Sequence, residues 1–131
     1  GRIIIFDVFI SWFSYLYYNF LHEEDVDMSA DVFNIRDSMV GKAPFSSNQA
    51  VATLIFFKDI ERFKKRFPGL KVVKREVREF LLYPLSGGFD SPQLIPSAFA
   101  GFFEAIDGLA LGIFGNKIAA RCFVVLEKEG D

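Results

Sequence analysis

The sequence predicts an α/β protein in which helices cover a small β-sheet. Apolar strand-like stretches alternate with stretches of helical spacing, in the order strand, helix, long loop, helix, strand, helix, strand. The chain has 131 residues, 51% of them hydrophobic, which is enough for one core. Because no repeat or linker divides it, we expect a single domain over residues 1–131. Its first two strands are expected to be parallel and joined by a right-handed crossover.

The first predicted strand covers residues 3–8, where apolar residues are interrupted only by Asp7. An uninterrupted apolar run of this kind predicts a strand that is buried on both faces. No earlier element in the sequence can pair with it, so one of its edges would be bare or paired with a segment outside this sequence. We therefore expect the chain to be part of a larger domain.

A helix is predicted to follow, from Trp12 to about His22, with Ser11 as its N-cap. It is apolar nearly all round, which indicates burial or the wall of a pocket. The polar tips of that wall are Tyr15, Tyr17, Tyr18 and Asn19. The polar cluster at residues 22–27 contains metal-binding residue types, but neighbouring side chains diverge and there is no second His. A solvated helix end is the expected role.

The middle of the chain alternates loop, helix and strand. Residues 28–50 are polar and irregular, and loops of this length are often functional. The apolar run 51–57 fits either a strand or a helix. Asp59 is the predicted N-cap of a helix that ends at Phe67. The second strand is predicted over residues 70–82, and the charges in its middle indicate an edge position.

The last third of the chain is predicted as turn, helix and strand. The turn at residues 83–89 contains Gly87 and Gly88, which either let a ligand approach the backbone or simply reverse the chain. A long helix is predicted over residues 97–114. Its acids, Glu104 and Asp107, are expected on a solvated face rather than as a catalytic pair. The third strand, residues 117–126, contains Cys122, which is expected to be a small buried hydrophobe.

Composition narrows the function classes. A net charge of −2 gives no electrostatic signal for nucleic acid. The single Cys excludes an internal disulfide and fits a reducing compartment, so we expect a cytoplasmic protein. The apolar stretches 3–21 and 94–115 carry charges or a helix cap, so no transmembrane span is expected. No phosphate loop, nucleophile elbow or HExxH motif is present.

Five segments together resemble the C-terminal half of a class I S-adenosylmethionine-dependent methyltransferase. They are GRIIIFD at 1–7, SNQA at 47–50, RFKKRFPGL at 62–70, YPLSGGF at 83–89 and AARCFVVLEK at 119–128. The first resembles the fifth strand of that family, and the last resembles its final antiparallel strand. The resemblance implies a partial Rossmann-like fold. Its three-stranded mixed sheet would have parallel first and second strands, with the last strand antiparallel between them.

The resemblance also implies transfer of a methyl group from S-adenosylmethionine to an unknown acceptor. The family's main cofactor-binding motifs belong to the half that this sequence lacks, so no cofactor or metal ligands are assigned and the chain is expected to be inactive alone. As catalytic bases the resemblance suggests His22 and Asp7. For acceptor binding it suggests Tyr15, Tyr18, Asn48, Gln49, Tyr83, Ser86, Gly87 and Gly88.

Two other functions remain open at the sequence level. The chain can be a non-catalytic assembly module whose first strand pairs with a second copy or with the missing N-terminal half. It can also be a small membrane protein, because of its two long apolar stretches.

Overall fold

The computed structural model of the chain describes residues 1–21, 26–34, 48–87 and 92–129. Three strands form one sheet: β1 (Arg2–Val8), β2 (Leu70–Arg78) and β3 (Arg121–Lys128). The strand order is β1-β3-β2, so β3 lies in the middle. Both pairings are antiparallel, and β2 carries an irregularity between Val72 and Lys74. The sheet is therefore an antiparallel one, and the charged β2 is an edge strand as predicted.

The predicted mixed, Rossmann-like sheet with a parallel pair is wrong, because both strand pairings are antiparallel. The last strand does lie antiparallel between the first two, as the resemblance implied. β1 and β2 do not pair with each other, and each pairs in antiparallel fashion with β3. The helical connection between β1 and β2 favoured a parallel pair under the crossover rule. However, the central β3 provides the backbone hydrogen-bond partner of both strands, and that pairing determines the character of the sheet.

The central strand is the most buried one. Cys122, Val124 and Leu126 alternate along β3 with exposed fractions of 0%, 0% and 4%, so one face of this strand packs on the core. β1 differs from its prediction of burial on both faces, because Ile3 is 50% exposed and Ile4 is 67% exposed. Among the described residues β1 has a strand neighbour on one side only.

Helix α1 (Trp12–Leu21) begins where the sequence predicts it. The Ser11 hydroxyl accepts the backbone N–H of Ser14 at 3.1 Å, so the predicted cap is confirmed. The Ser14 hydroxyl accepts the Ser11 N–H at 2.7 Å and donates to the Phe9 carbonyl at 2.6 Å. These reciprocal bonds attach the start of α1 to the end of β1.

The apolar run whose conformation the sequence left open is helical. Helix α2 (Val51–Thr53) continues as a π-helical turn (Leu54–Lys58), and α3 (Ile60–Arg66) follows. Asp59 lies at the N-cap of α3, but its side chain makes no capping hydrogen bond, so that part of the prediction is wrong. Phe56 and Phe63 from these helices pack with Val124 in the larger core cluster.

The remaining helices lie between β2 and β3. Helix α4 (Leu82–Leu85) follows β2, and α5 (Ala100–Phe114) lies between two 3₁₀ turns, Ser97–Phe99 and Gly115–Lys117. In the part of the chain that the structure describes, Ser97–Lys117 is long and apolar enough to cross a bilayer, with a mean hydropathy of 1.5. A single stretch of this kind is weak support for a membrane span.

Candidate functional site

Aromatic side chains surround an arginine near the carboxyl end of β1. The guanidinium carbon of Arg121, at the start of β3, lies 4.6 Å from the ring centre of Phe6 and 4.6 Å from that of Tyr83. Tyr18 of α1 interacts with both Tyr83 and Arg121. We call Phe6, Tyr18, Tyr83 and Arg121 the Tyr–Arg cluster. It brings together two predicted site residues, Tyr18 and Tyr83, and two that the sequence did not single out.

Tyr17 and Tyr18 are protonated at neutral pH. Tyr18 is 2% exposed, and its burial raises the pKa of the phenol far above the ordinary value. The neighbouring Tyr83 hydroxyl raises the Tyr18 pKa further, while the charge of Arg121 lowers it. Burial also raises the pKa of Tyr17, whose ring centre lies 5.3 Å from that of Tyr18. Tyr17 and Tyr18 are therefore not suited to serve as bases.

Arg121 is held by ring contacts rather than by a carboxylate. Its Nε atom is buried and has no hydrogen-bond partner among the described residues. The ion pairs found in those residues involve other cations, such as Arg78 with Glu76 and Arg62 with Asp31. A buried, unpaired N–H normally costs free energy, so this group requires an explanation.

Glu79 lies beside the cluster in a strained backbone conformation. Its φ is +54°, in the left-handed region that side chains other than Gly seldom adopt. The Glu79 carbonyl accepts the N–H of Ala120 at 2.7 Å, which connects it to the residue before Arg121. Burial raises the pKa of Glu79, the nearby Asp107 raises it further, and the charge of Arg121 lowers it. Nothing in the local sequence indicates this conformation, so Glu79 was not predicted.

The raised pKa of Glu79 predicts a pH-dependent stability. The folded state favours the protonated form of Glu79. The stabilisation of the fold by this residue is therefore complete below its ordinary pKa of 4.5, and it is lost as the pH rises through the pKa of the folded state. We expect Glu79→Gln to be more stable than the wild type at pH 8, with a difference that shrinks toward pH 4. Urea unfolding across this range measures it.

Glu76→Gln is the control variant, and its expected effect on stability at pH 8 is opposite to that of Glu79→Gln. The hydrogen bond from Arg78 lowers the pKa of Glu76, so ionised Glu76 stabilises the fold above its ordinary pKa, and this contribution is lost as the pH falls. Glu76→Gln is expected to be less stable than the wild type at pH 8. If the difference in stability between Glu79→Gln and the wild type grew toward pH 4, the expected pH dependence would be contradicted.

Asp107 is a structural acid, so its prediction as part of a solvated helix face is wrong. It is 4% exposed, and its carboxylate accepts the N–H groups of Phe80, Leu81 and Leu82 at 2.7, 2.8 and 3.1 Å. These groups lie just before and at the start of α4, where backbone N–H groups lack helical partners. Asp107 thus fixes the segment that carries Tyr83. Glu104, by contrast, is exposed as predicted.

Asn48 organises the backbone near the cluster. Its amide nitrogen donates to the Asp27 carbonyl at 2.8 Å, and its amide oxygen accepts the N–H groups of Asp27 and Ala50 at 3.0 Å each. Ala50 belongs to the same buried cluster as Tyr18. Both polar ends of Asn48 are therefore engaged with the backbone, and Gln49 beside it is half-buried.

The other predicted site residues do not belong to the Tyr–Arg cluster as defined above. Asp7 is exposed, and its carboxylate accepts the N–H of Val8 at 2.7 Å. Tyr15 is 43% exposed. The Ser86 hydroxyl donates to the Tyr83 carbonyl at 2.9 Å, and Gly87 has a φ of +91°, which explains the need for glycine in this turn. His22 and Gly88 lie outside the described residues.

Other parts of the described structure contain fewer groups suited to bind a ligand or to catalyse a reaction. Cys122 is fully buried as predicted, and burial raises the pKa of its thiol to about 11, so it is a poor nucleophile. An open groove of about 390 Å³ between α3 and β2 contains none of the predicted site residues. Over the described ranges, no three His, Cys, Asp or Glu side chains are grouped so as to hold a metal ion.

The chain was also compared with known proteins. No protein-family model matches it, and neither a curated protein nor a solved structure gives a significant match.

Proposed function

We propose that this chain is the acceptor-binding part of an S-adenosylmethionine-dependent methyltransferase. The observation that carries the proposal is the meeting of Tyr18, Tyr83 and Arg121 near the carboxyl end of β1. Tyr83 and Arg121 come from segments that resemble the family, and Tyr18 comes from the helix that follows another such segment. The cluster offers hydrogen-bond donors and aromatic faces, which is what the binding of an acceptor requires.

The exposed edge of β1 supports the proposal that further polypeptide, which would bind the methyl donor, packs against this chain. Ile3, Ile4 and Phe6 are 50%, 67% and 46% exposed, an unusual density of apolar residues on one strand. Further polypeptide that covers this edge would lie next to the Tyr–Arg cluster. The methyl donor would be held by that polypeptide.

Methyl transfer requires mainly positioning. The acceptor atom attacks the methyl carbon of the sulfonium, the carbon–sulfur bond breaks, and an acceptor that carries a proton loses it. Holding the two reactants in line accounts for much of the rate enhancement. Tyr18 is buried and interacts with Tyr83, so it is suited to hold Tyr83 in place beside the acceptor. Asp7, exposed at the end of β1, is a candidate base.

The test is transfer of a radiolabelled methyl group by the natural protein that contains this chain, with small-molecule extracts as acceptors. We expect Tyr83→Phe to lower the transfer rate about tenfold or more, because it removes a hydroxyl at the acceptor. Lys65→Gln, on the exposed side of α3, is the control and should not change the rate. A natural protein that binds no S-adenosylmethionine would exclude the proposal.

The same exposed β1 edge favours a second candidate, a non-catalytic module that assembles by strand pairing. Light scattering during a titration with S-adenosylmethionine separates the two functions. A stable dimer of the natural protein that binds no methyl donor would identify the assembly module. Donor binding without a change of mass favours the enzyme.

A further inference from the structure

Building on the proposed function, we infer that the methyl acceptor is an apolar molecule with a carboxylate, and that Arg121 binds this carboxylate. The guanidinium carbon of Arg121 lies 4.6 Å from the ring centres of both Phe6 and Tyr83. A ring contact of this kind engages the face of a guanidinium and leaves the N–H donors, which lie in its plane, to bind a ligand.

The edge of this guanidinium has unused donor capacity. The side chain of Arg121 makes no hydrogen bond or ion pair within the described residues, and its buried Nε lacks a partner. A planar guanidinium edge matches the two oxygens of a carboxylate, which can accept two parallel N–H bonds. A bound carboxylate would explain why the protein keeps an arginine at this half-buried position.

The surroundings favour a single negative charge on the ligand. Asp7 and Glu79 lie in the same region as Arg121, and Glu79 interacts electrostatically with it. One cation among carboxyl groups suits a monoanion better than a phosphate dianion. The ring of Phe6, 46% exposed, offers apolar surface beside the guanidinium for the body of the ligand.

Binding of phenylacetate and of phenylacetamide to the full chain tests this assignment by calorimetry, without any methyl donor. The two probes share an apolar ring and differ in charge. We expect phenylacetate to bind the wild type, and phenylacetamide to bind about tenfold or more weakly, since a charge-assisted pair is lost. Equal affinity for both probes, or no binding of phenylacetate at millimolar concentration, would overturn the assignment without any variant.

Arg121→Gln is expected to weaken phenylacetate binding about tenfold or more and to leave phenylacetamide unaffected. Arg78→Gln is the matched control. Arg78 lies opposite Arg121 on β2 and also stacks on a ring, that of Phe123, but it is already paired with Glu76. Equal weakening in the two variants would show a general loss of positive charge and reject a specific site.

The outcomes for the two proposals are separable. Methyl transfer by a protein that does not discriminate phenylacetate from phenylacetamide would reject the carboxylate assignment and keep the methyltransferase. Discrimination by a natural protein that binds no methyl donor would reject the methyltransferase and keep an anion site at Arg121.

Discussion

Replacement of Asp107 by Ala is expected to destabilise the protein by about 3 kcal/mol or more, because three backbone N–H groups lose a charged acceptor at once. Those groups belong to Phe80, Leu81 and Leu82, and the Asp107 side chain that they contact is 4% exposed. Urea unfolding measures the loss. Hydrogen exchange of the three amides should become faster in the variant, which identifies the site of the effect.

Two further variants define the role of Asp107. Asp107→Asn keeps one oxygen acceptor and is expected to lose less stability than Asp107→Ala. Glu104→Ala, one helical turn away on the exposed side of α5, should change the stability by less than about 0.5 kcal/mol. If Asp107→Ala unfolded at the same urea concentration as Glu104→Ala, the contacts from Asp107 to the start of α4 would not support the fold.

Replacement of Leu54 by Ala is expected to cost about 2–5 kcal/mol, the range for a large residue removed from a packed core. Leu54 is 1% exposed and packs in one buried cluster with Val8, Tyr18 and Ala50. The cavity would border Tyr18, so the near-ultraviolet circular dichroism of the tyrosines should also change. Thermal and urea unfolding measure the loss of stability.

Leu109→Ala is the matched control for this cavity. Leu109 is the same residue type in a helix, but it is 69% exposed, so its truncation should cost less than about 0.5 kcal/mol. Equal losses for the two leucines would mean that α5 is covered by other polypeptide in solution. Negligible losses for both would contradict the packing of α2 against α1 and β1.

The local features of the fold were predictable because their causes are local. Ser11 caps α1 through its own hydroxyl, and the start of α1 depends on a few adjacent residues. The long helix at 97–114 follows from the spacing of its phenylalanines. The charges in the middle of β2 predicted an edge strand, since a strand buried on both sides cannot keep them in water.

The candidate site was predictable only in part. Tyr18 and Tyr83 were singled out by position and residue type, and they do meet. Arg121 was missed because it follows two alanines at the start of an apolar strand and has no local pattern. Its partners, Phe6 and Tyr83, lie 115 and 38 positions away in the sequence. The role of Glu79 depends on a positive φ, which no neighbouring residue reveals.

The sequence by itself determined where α1 begins, which strand is charged, and that Cys122 is buried, because these depend on hydrophobicity and short-range hydrogen bonds. The tertiary structure alone decided that the described sheet contains only antiparallel pairings, and that Asp107 points inward to α4. Pairing and burial of this kind result from contacts between residues far apart in the chain. The pattern of residues along the chain does not show which distant residues will be in contact.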